Sequence, residues 1–156
     1  MFNKELLAEV LSVAMSSGGD FAEIYGEHTR SNVLQLVDGK IDKINDNVIS
    51  GVGVRVFLGQ RTVYASTSDI SREGLLRCAR SAADALAEGN APISICLGRK
   101  NITDIHPVKI NPVTANIGNK TDILKSACFA AKEHSELISQ VQGNLNCVEH
   151  EILVAN

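Results

Sequence analysis

The sequence predicts an α+β fold, in which a mainly antiparallel sheet has about three helices packed on it. Residues 21–67 hold successive β-type segments joined by two-residue turns, a pattern typical of an antiparallel meander. Three other segments carry apolar residues at the spacing of one helix face. Aromatic residues make up only 4% of the chain, so the core is expected to consist of Val, Ile, Leu and Ala.

The first two predicted helices flank the β region. One covers residues 3–17, where the side chain of Asn3 can cap the first turn. The other runs from about residue 71 to residue 88, with Asp69 or Ser71 as its N-cap. The apolar stripe of each helix is interpreted as a face that packs in the core.

A third helix is predicted from about residue 122 to residue 134. Its apolar residues recur at helical spacing and are expected to face the core. They are Ile123, Leu124, Ala127, Ala130 and Ala131. Residues 90–118 hold all three prolines, which predicts a long, irregular or edge-like crossover before this helix.

The β region divides into five segments that are β-branched or alternate in polarity: 21–29, 32–37, 40–45, 48–58 and 61–67. Asp38-Gly39 separates two of them and is a strong signal for a type I′ hairpin turn. Gly59-Gln60 separates the last two in the same way. The end of the chain, residues 137–156, is interpreted as two more strands that form a C-terminal hairpin.

Residues 51–67 read GVGVRVFLGQRTVYAST. Two structures are considered for this stretch: a phosphate-binding glycine loop and a strand that contains glycines. A dinucleotide-binding loop needs a third glycine where this chain has Val56. It also needs a helix directly afterwards, where this chain has a hairpin turn. Gly51 and Gly53 are therefore assigned to a strand.

The turn at Gly59-Gln60 predicts how the two strands pair. Arg55 should lie opposite Tyr64, with the pairs Val56–Val63, Val54–Ala65 and Gly53–Ser66 beside it. The face with Val52, Val54, Val56 and Leu58 is then core, and the opposite face carries Gly51, Gly53, Arg55 and Phe57.

The two glycines leave a shallow strip on that opposite face. Strand glycines either ease the twist of the sheet or leave room for the close approach of another backbone. In the second interpretation a peptide, a loop or a partner lies over the strip. The candidate contact residues are then Gly51, Gly53, Arg55 and Tyr64.

The composition argues against several functional classes. A formal net charge of -3 without a clustered basic face gives no indication of nucleic-acid binding. No apolar run approaches the roughly 20 residues of a membrane span. Glu5 and Glu9 lie among the apolar residues of the N-terminal segment, which predicts an amphipathic helix rather than a signal peptide. The expected location is the cytoplasm.

The sequence predicts no catalytic and no metal-binding residues. The four cysteines, Cys78, Cys96, Cys128 and Cys147, are widely spaced and are expected to be buried thiols. There is no H-E-x-x-H and no G-x-S-x-G motif. Residues 133–136, Glu-His-Ser-Glu, are interpreted as a solvated helix end.

Three sequence features occur in an order that resembles the N-terminal domain of the TldD/PmbA family, which is also known as the modulators of DNA gyrase. They are GDFAEIY at residues 19–25, DGKI at 38–41 and GVGVRVFLGQRTVYASTSD at 51–69, followed by an Ala-rich helix. The resemblance is closer to the TldD side of the family. It covers most of residues 1–90 and is weaker over residues 90–156.

The resemblance implies a zinc-dependent peptidase system that acts on peptides and unfolded segments. In the family, the zinc ligands lie in an H-E-x-x-x-H helix and a later cysteine, beyond the N-terminal domain, and this sequence has no such motif. Residues 1–156 are therefore expected to be a single domain, the N-terminal domain of a longer chain, without a cofactor of its own. Zinc is expected in the absent C-terminal part.

The same resemblance implies that this domain is non-catalytic, helps to form the peptide channel and contacts another subunit. The expected partners are a peptide or unfolded protein substrate and a family member in a homo- or hetero-oligomer. The alternative is a free-standing peptide- or subunit-binding module without peptidase activity. A third hypothesis, an autonomous enzyme, has no recognisable catalytic set. An H-E-x-x-x-H motif further along the gene would decide between the first two.

Overall fold

The computed structural model describes residues 2–86, 97–98, 100 and 105–156. A four-stranded antiparallel sheet carries three α-helices, so the predicted α+β class is confirmed. The strands lie in the order β3-β2-β1-β4. In chain order the elements are α1 (Lys4–Ala14), a 3-10 helix (Met15–Ser17), β1 (Phe21–Val37), β2 (Lys40–Leu58), β3 (Arg61–Thr67), α2 (Arg72–Leu86), α3 (Ile117–Glu133) and β4 (Gln142–Ala155).

The first two helices begin where their capping residues predict. The Oδ1 atom of Asn3 accepts a hydrogen bond from the backbone N–H of Leu6 at 2.9 Å. At the start of α2 the hydroxyl of Ser71 accepts from the backbone N–H of Gly74 at 3.1 Å, so Ser71 rather than Asp69 is the cap. The predicted end of this helix at residue 88 lies outside the described residues.

Two turns join the first three strands. Asp38 and Gly39 both have positive φ, 49° and 74°, as a type I′ turn requires, so this prediction is confirmed. At the second turn Gly59 has a positive φ of 55°, but Gln60 does not have a positive φ, so this turn differs from the first. The chain continues as a strand through the polar positions near residues 30 and 46, so the predicted breaks there are wrong. Polar side chains at exposed strand positions do not interrupt backbone pairing.

The predicted C-terminal hairpin is wrong. Residues 142–155 form a single strand, β4, which pairs beside β1. The polar run at residues 149–151 lies within this strand, and two of its side chains have partners elsewhere in the chain. The ring Nδ1 of His150 is 2.8 Å from the hydroxyl of Thr29, and the carboxylate of Glu149 accepts from the side-chain amide of Asn111.

The third helix also differs from its prediction. It begins five residues earlier, at Ile117, because the Oδ1 atom of Asn116 accepts from the backbone N–H groups of Gly118 and Asn119. Its buried residues are Lys120, Thr121, Leu124 and Cys128. Of the five residues expected to face the core, only Leu124 does; the exposed ones are Ile123, Ala127, Ala130 and Ala131.

The chain divides into two compact units. The first consists of Met1–His28, Ser50–Thr103 and Glu151–Asn156, and the second of Thr29–Ile49 and Asp104–His150. The core of the first unit includes residues of α1, α2 and the sheet, among them Val10, Leu11, Ile24, Val54, Val56, Leu75, Ala79 and Leu86. In the second unit Leu34, Leu36, Leu124 and Cys128 form a smaller cluster of buried apolar residues. That residues 1–156 form one domain stays a prediction.

Candidate functional site

The outer face of the β2–β3 hairpin, the side away from α1 and α2, holds the residues that the sequence singled out. The predicted register is confirmed, with Arg55 opposite Tyr64, Val54 opposite Ala65 and Gly53 opposite Ser66. On the inner face Val52, Val54 and Val56 are buried in the core of the first unit. Alternation along the strand therefore places Gly51, Gly53, Arg55 and Phe57 on the outer face.

Gly53 is covered by a ring of its own chain. A Cβ atom added at this glycine would lie 2.6 and 2.7 Å from the Cε2 and Cζ atoms of Tyr64. The glycine therefore allows the phenol of the neighbouring strand to lie on the backbone of β2. Gly51 is less constrained, since an added Cβ there would be 3.3 Å from the carbonyl oxygen of Thr67. The strip at Gly53 is thus filled by Tyr64, whose exposed fraction is still 57%.

Arg55 lies between an aromatic ring and a carboxylate. Its guanidinium carbon is 5.7 Å from the ring centroid of Tyr64, within cation–π range. Its Nη1 atom is 3.0 Å from Oε1 of Glu23 on β1. Both side chains are partly exposed, so each contact contributes about 0.5–1 kcal/mol at most. Together they fix the direction of the guanidinium, which keeps a polar edge towards solvent.

Three further aromatic residues, Phe21, Tyr25 and Phe57, belong to β1 and β2 of the same unit. The rings of Phe21 and Phe57 are 5.7 Å apart between centroids, tilted by 53°. The hydroxyl of Tyr25 donates to Oε2 of Glu27 at 3.2 Å. Partial burial and the nearby Glu27 carboxylate raise the pKa of Tyr25 above its ordinary value, so the phenol stays neutral well beyond neutral pH.

Sequence reasoning missed the β1 side of this surface. Phe21, Glu23 and Tyr25 are partly or fully exposed, and they alternate with the buried residues Ala22 and Ile24. That alternation was visible in FAEIY and could have placed all three beside Arg55.

The chemistry of this surface is binding chemistry. It offers aromatic rings, one guanidinium and two carboxylates, without a nucleophile held by a base. Among the described residues, no three His, Cys, Asp or Glu side chains are placed to hold a metal ion. Cys78, Cys128 and Cys147 are free and buried, as expected, and burial raises the pKa of the Cys78 thiol. Cys96 lies outside the described residues.

Within the described part of the chain, no helix combines the length and the apolar character that crossing a bilayer requires.

The comparisons with known proteins agree with this fold. A sequence model described as PmbA/TldA metallopeptidase domain 1 matches residues 22–86, from β1 to the end of α2. This chain carries a domain of the TldD/PmbA family.

Two relatives by sequence carry metalloprotease names. A metalloprotease of Methanocaldococcus jannaschii is 30% identical over 129 residues, covering 80% of this chain and 28% of that protein. The metalloprotease TldD homolog of Buchnera aphidicola is 25% identical over 138 residues, covering 88% of this chain and 28% of that protein. The chain therefore spans less than a third of the length of either relative.

Two solved structures share the fold. A protein of Bacteroides thetaiotaomicron named as a modulator of DNA gyrase superposes with a TM-score of 0.75 at 16% identity, over 98% of this chain and 36% of its own. TldE of Thermococcus kodakarensis superposes with a TM-score of 0.62 at 16% identity, over 96% of this chain and 35% of its own. Coverage this high includes the C-terminal part of the described chain, where the sequence resemblance is weak.

Proposed function

We propose that this chain is the non-catalytic N-terminal domain of a TldD-like zinc metallopeptidase, and that it helps to form the peptide channel and the subunit interface. The family domain and the metalloprotease names of the relatives support the peptidase part. The outer face of the β2–β3 hairpin supports the peptide part. A cytoplasmic location and a homo- or hetero-oligomer with a family member belong to the same proposal.

The proposed role in peptide binding rests on one observation: β3 has an accessible edge, and the side chains of Tyr64 and Arg55 lie beside it. β3 ends the strand order, so its second edge has no partner strand among the described residues. An extended peptide can add to such an edge through main-chain hydrogen bonds, which give affinity without strict sequence choice. Tyr64 lies on this strand, and Arg55 lies over its ring. Tyr64 would contact a side chain of the added peptide, and Arg55, opposite it on β2, would hold the ring in place.

In this proposal the metal chemistry belongs to another part of the parent protein. Zinc supplies the activated water of a metallopeptidase, and its ligands are expected beyond this domain. The role of this chain is to hold an extended substrate in a fixed direction, which lowers the entropic cost of reaching the metal.

The proposal is tested by comparing peptide hydrolysis by the 156-residue chain and by the longest protein that its gene encodes. Both receive zinc and an unfolded, casein-like substrate. Only the longer protein should cleave it. Cleavage by the 156-residue chain alone would contradict the non-catalytic role, as would one tightly held zinc per chain in metal analysis.

A variant tests the surface itself. Arg55→Ala in the active, longer protein should weaken the use of substrate by roughly threefold to tenfold, the effect of losing one polar contact, while zinc content stays unchanged. The matched control is Arg80→Ala, which changes an exposed arginine on α2. An equal rate in both variants would leave Arg55 as a purely structural residue.

The second candidate function is a free-standing peptide- or subunit-binding module. It rests on the same accessible edge of β3 and on Tyr64 and Arg55, which need no metal to bind a peptide. A gene that ends without an H-E-x-x-x-H motif, together with peptide binding by the chain alone, would support it over the peptidase domain.

A further inference from the structure

Lys120 is a buried cation without an acidic partner among the described residues. It lies in the first turn of α3 and is only 6% exposed. Its ammonium donates to Oδ1 of Asn32 at 2.8 Å and to the carbonyl of Val113 at 3.2 Å. Both acceptors are neutral, and the ion pairs of the described chain do not include Lys120.

Such an arrangement is unusual for a lysine whose role is only structural. Lysine is almost never fully buried unless it is paired, because the ammonium loses its hydration. The ammonium has three donors, and the two contacts above use two of them. One donor and the full positive charge remain for a further partner.

A cavity of about 480 Å³ lies beside this ammonium, within the second unit. Its charged lining consists of Lys120, Arg30 and Asp46, which gives one net positive charge. Arg30 is held loosely, since its Nη1 atom is 3.8 Å from the nearest oxygen of Glu149, beyond hydrogen-bond distance. Most of its five N–H donors are therefore available to a ligand.

The rest of the lining is partly apolar. Ile44, Val48, Val113 and Ile117 provide aliphatic surface beside the two cations. The volume lies within the range of about 300–1,000 Å³ that is usual for small-molecule sites. A guanidinium fork matches the two oxygens of a carboxylate, and an ammonium adds a point charge.

We infer that this cavity binds an aliphatic carboxylate, with its oxygens between Arg30 and Lys120 and its side chain against the aliphatic wall. Under the proposed function, on which the choice of source rests, the ligand is the C-terminal residue of a peptide. A free amino acid offers the same carboxylate and is distinguished by the experiment.

The experiment is calorimetric titration of the 156-residue chain with N-acetyl-alanyl-leucine, its C-terminal amide, free leucine and inorganic phosphate. The peptide acid should bind at least about tenfold more tightly than the amide, because the amide forfeits a charge-assisted contact. Equal affinity of acid and amide would overturn the inference, as would phosphate binding without binding of the acid. Binding of leucine alone would support the carboxylate site and overturn the peptide source.

Two variants and a control identify the site. Arg30→Gln and Lys120→Met should each weaken binding of the peptide acid by about tenfold or more. Lys125→Met, an exposed lysine on the same helix outside this cavity, should leave it unchanged. Because Lys120→Met leaves two acceptors unpaired and can unfold the chain, the partly exposed Arg30→Gln decides. Unchanged affinity in Arg30→Gln would overturn the inference.

These titrations need no peptidase activity. Carboxylate binding by a chain whose longer protein cleaves nothing would leave the inference standing and contradict the proposed function. If the longer protein is active but the 156-residue chain does not prefer the peptide acid over its amide, the inference is overturned and the proposed function stands.

Discussion

Each of the two compact units of this chain is stabilised internally, and the kind of internal contact differs between them. The first unit buries a continuous aliphatic core between its helices and the inner face of its strands. The second has a cluster of only four buried apolar residues, and it also buries polar residues, among them Lys120 and Thr121. In the second unit, side-chain hydrogen bonds hold α3 in place, such as those that Lys120 donates to Asn32 and Val113. Hydrophobic burial is therefore the main stabilising contribution in the first unit, and side-chain hydrogen bonds have a larger share in the second.

Truncating the core should show this difference most clearly. Leu11→Ala removes a fully buried side chain of the first unit and should lower the free energy of unfolding by about 2–5 kcal/mol. Leu124→Ala in the second unit should cost no more than about 2 kcal/mol, because fewer buried groups surround the cavity that it leaves. Urea denaturation measures both. An equal cost in the two variants would contradict the comparison.

Gly53 offers a smaller and more local test within the first unit. Gly53→Ala pushes a methyl group into the Tyr64 ring and should destabilise by about 1–3 kcal/mol. The control Gly51→Ala should change stability by less than about 1 kcal/mol, since its new contact is only tight. In a double-mutant cycle, Tyr64→Ala should remove most of the cost at Gly53. Equal effects of the two glycine variants would show that the ring moves away freely.

On the outer face of the first unit, the pH dependence of stability and of the Tyr25 titration tests the contact between Tyr25 and Glu27. Its pKa is raised in the folded state, so the stability that it contributes is complete below the unfolded pKa of about 10. That contribution is lost as the pH rises through the folded pKa. Glu27→Gln should move the phenol titration, followed by ultraviolet absorbance, back towards the ordinary value. A titration that the variant leaves in place would exclude Glu27 as a cause.

The smallest expected effect lies on α3 in the second unit. Ile123→Ser should change the free energy of unfolding by no more than about 0.5 kcal/mol, because Ile123 is 66% exposed. The neighbouring Leu124→Ser should cost clearly more, since Leu124 is only 8% exposed. If the two variants cost the same, α3 is rotated relative to the face described above.

The sequence predicted the first unit better than the second for a physical reason. In the β2–β3 hairpin, alternating Val residues and a two-residue turn specify both the buried face and the register, because a slip by one residue would expose Val54. In α3 the signal was weak, since Ala127, Ala130 and Ala131 suit exposed helix positions as well as buried ones. The observed face follows the spacing of Lys120, Leu124 and Cys128 instead. A buried lysine is not a signal that hydrophobic periodicity can detect.

The register and the face of Gly51, Gly53, Arg55 and Tyr64 were predicted correctly, but the ring that covers Gly53 was not, and their role as contact residues stays a prediction. The glycine strip was expected either to ease twist or to receive another backbone, and the ring of Tyr64 fills it at Gly53. A side chain from the facing strand reaches a diagonal position only in three dimensions, which a pairing register does not describe. Likewise, the end of the chain was expected to form two strands, and the hydrogen-bond partners of Glu149 and His150 in the single observed strand lie far away in the sequence.

β2 is much longer than β3, the neighbour on its outer side, and this has a consequence for aggregation. β3 covers only Val52–Leu58, so residues 40–51 present an edge without a β3 partner. Ile41, Ile44, Val48 and Ile49 are exposed along this stretch, a composition that favours edge-to-edge stacking of strands. Lys40 and Lys43 interrupt it with charge, as gatekeeper residues do in natural sheet proteins. We therefore expect these two lysines to protect the chain against self-association more than they contribute to its folding.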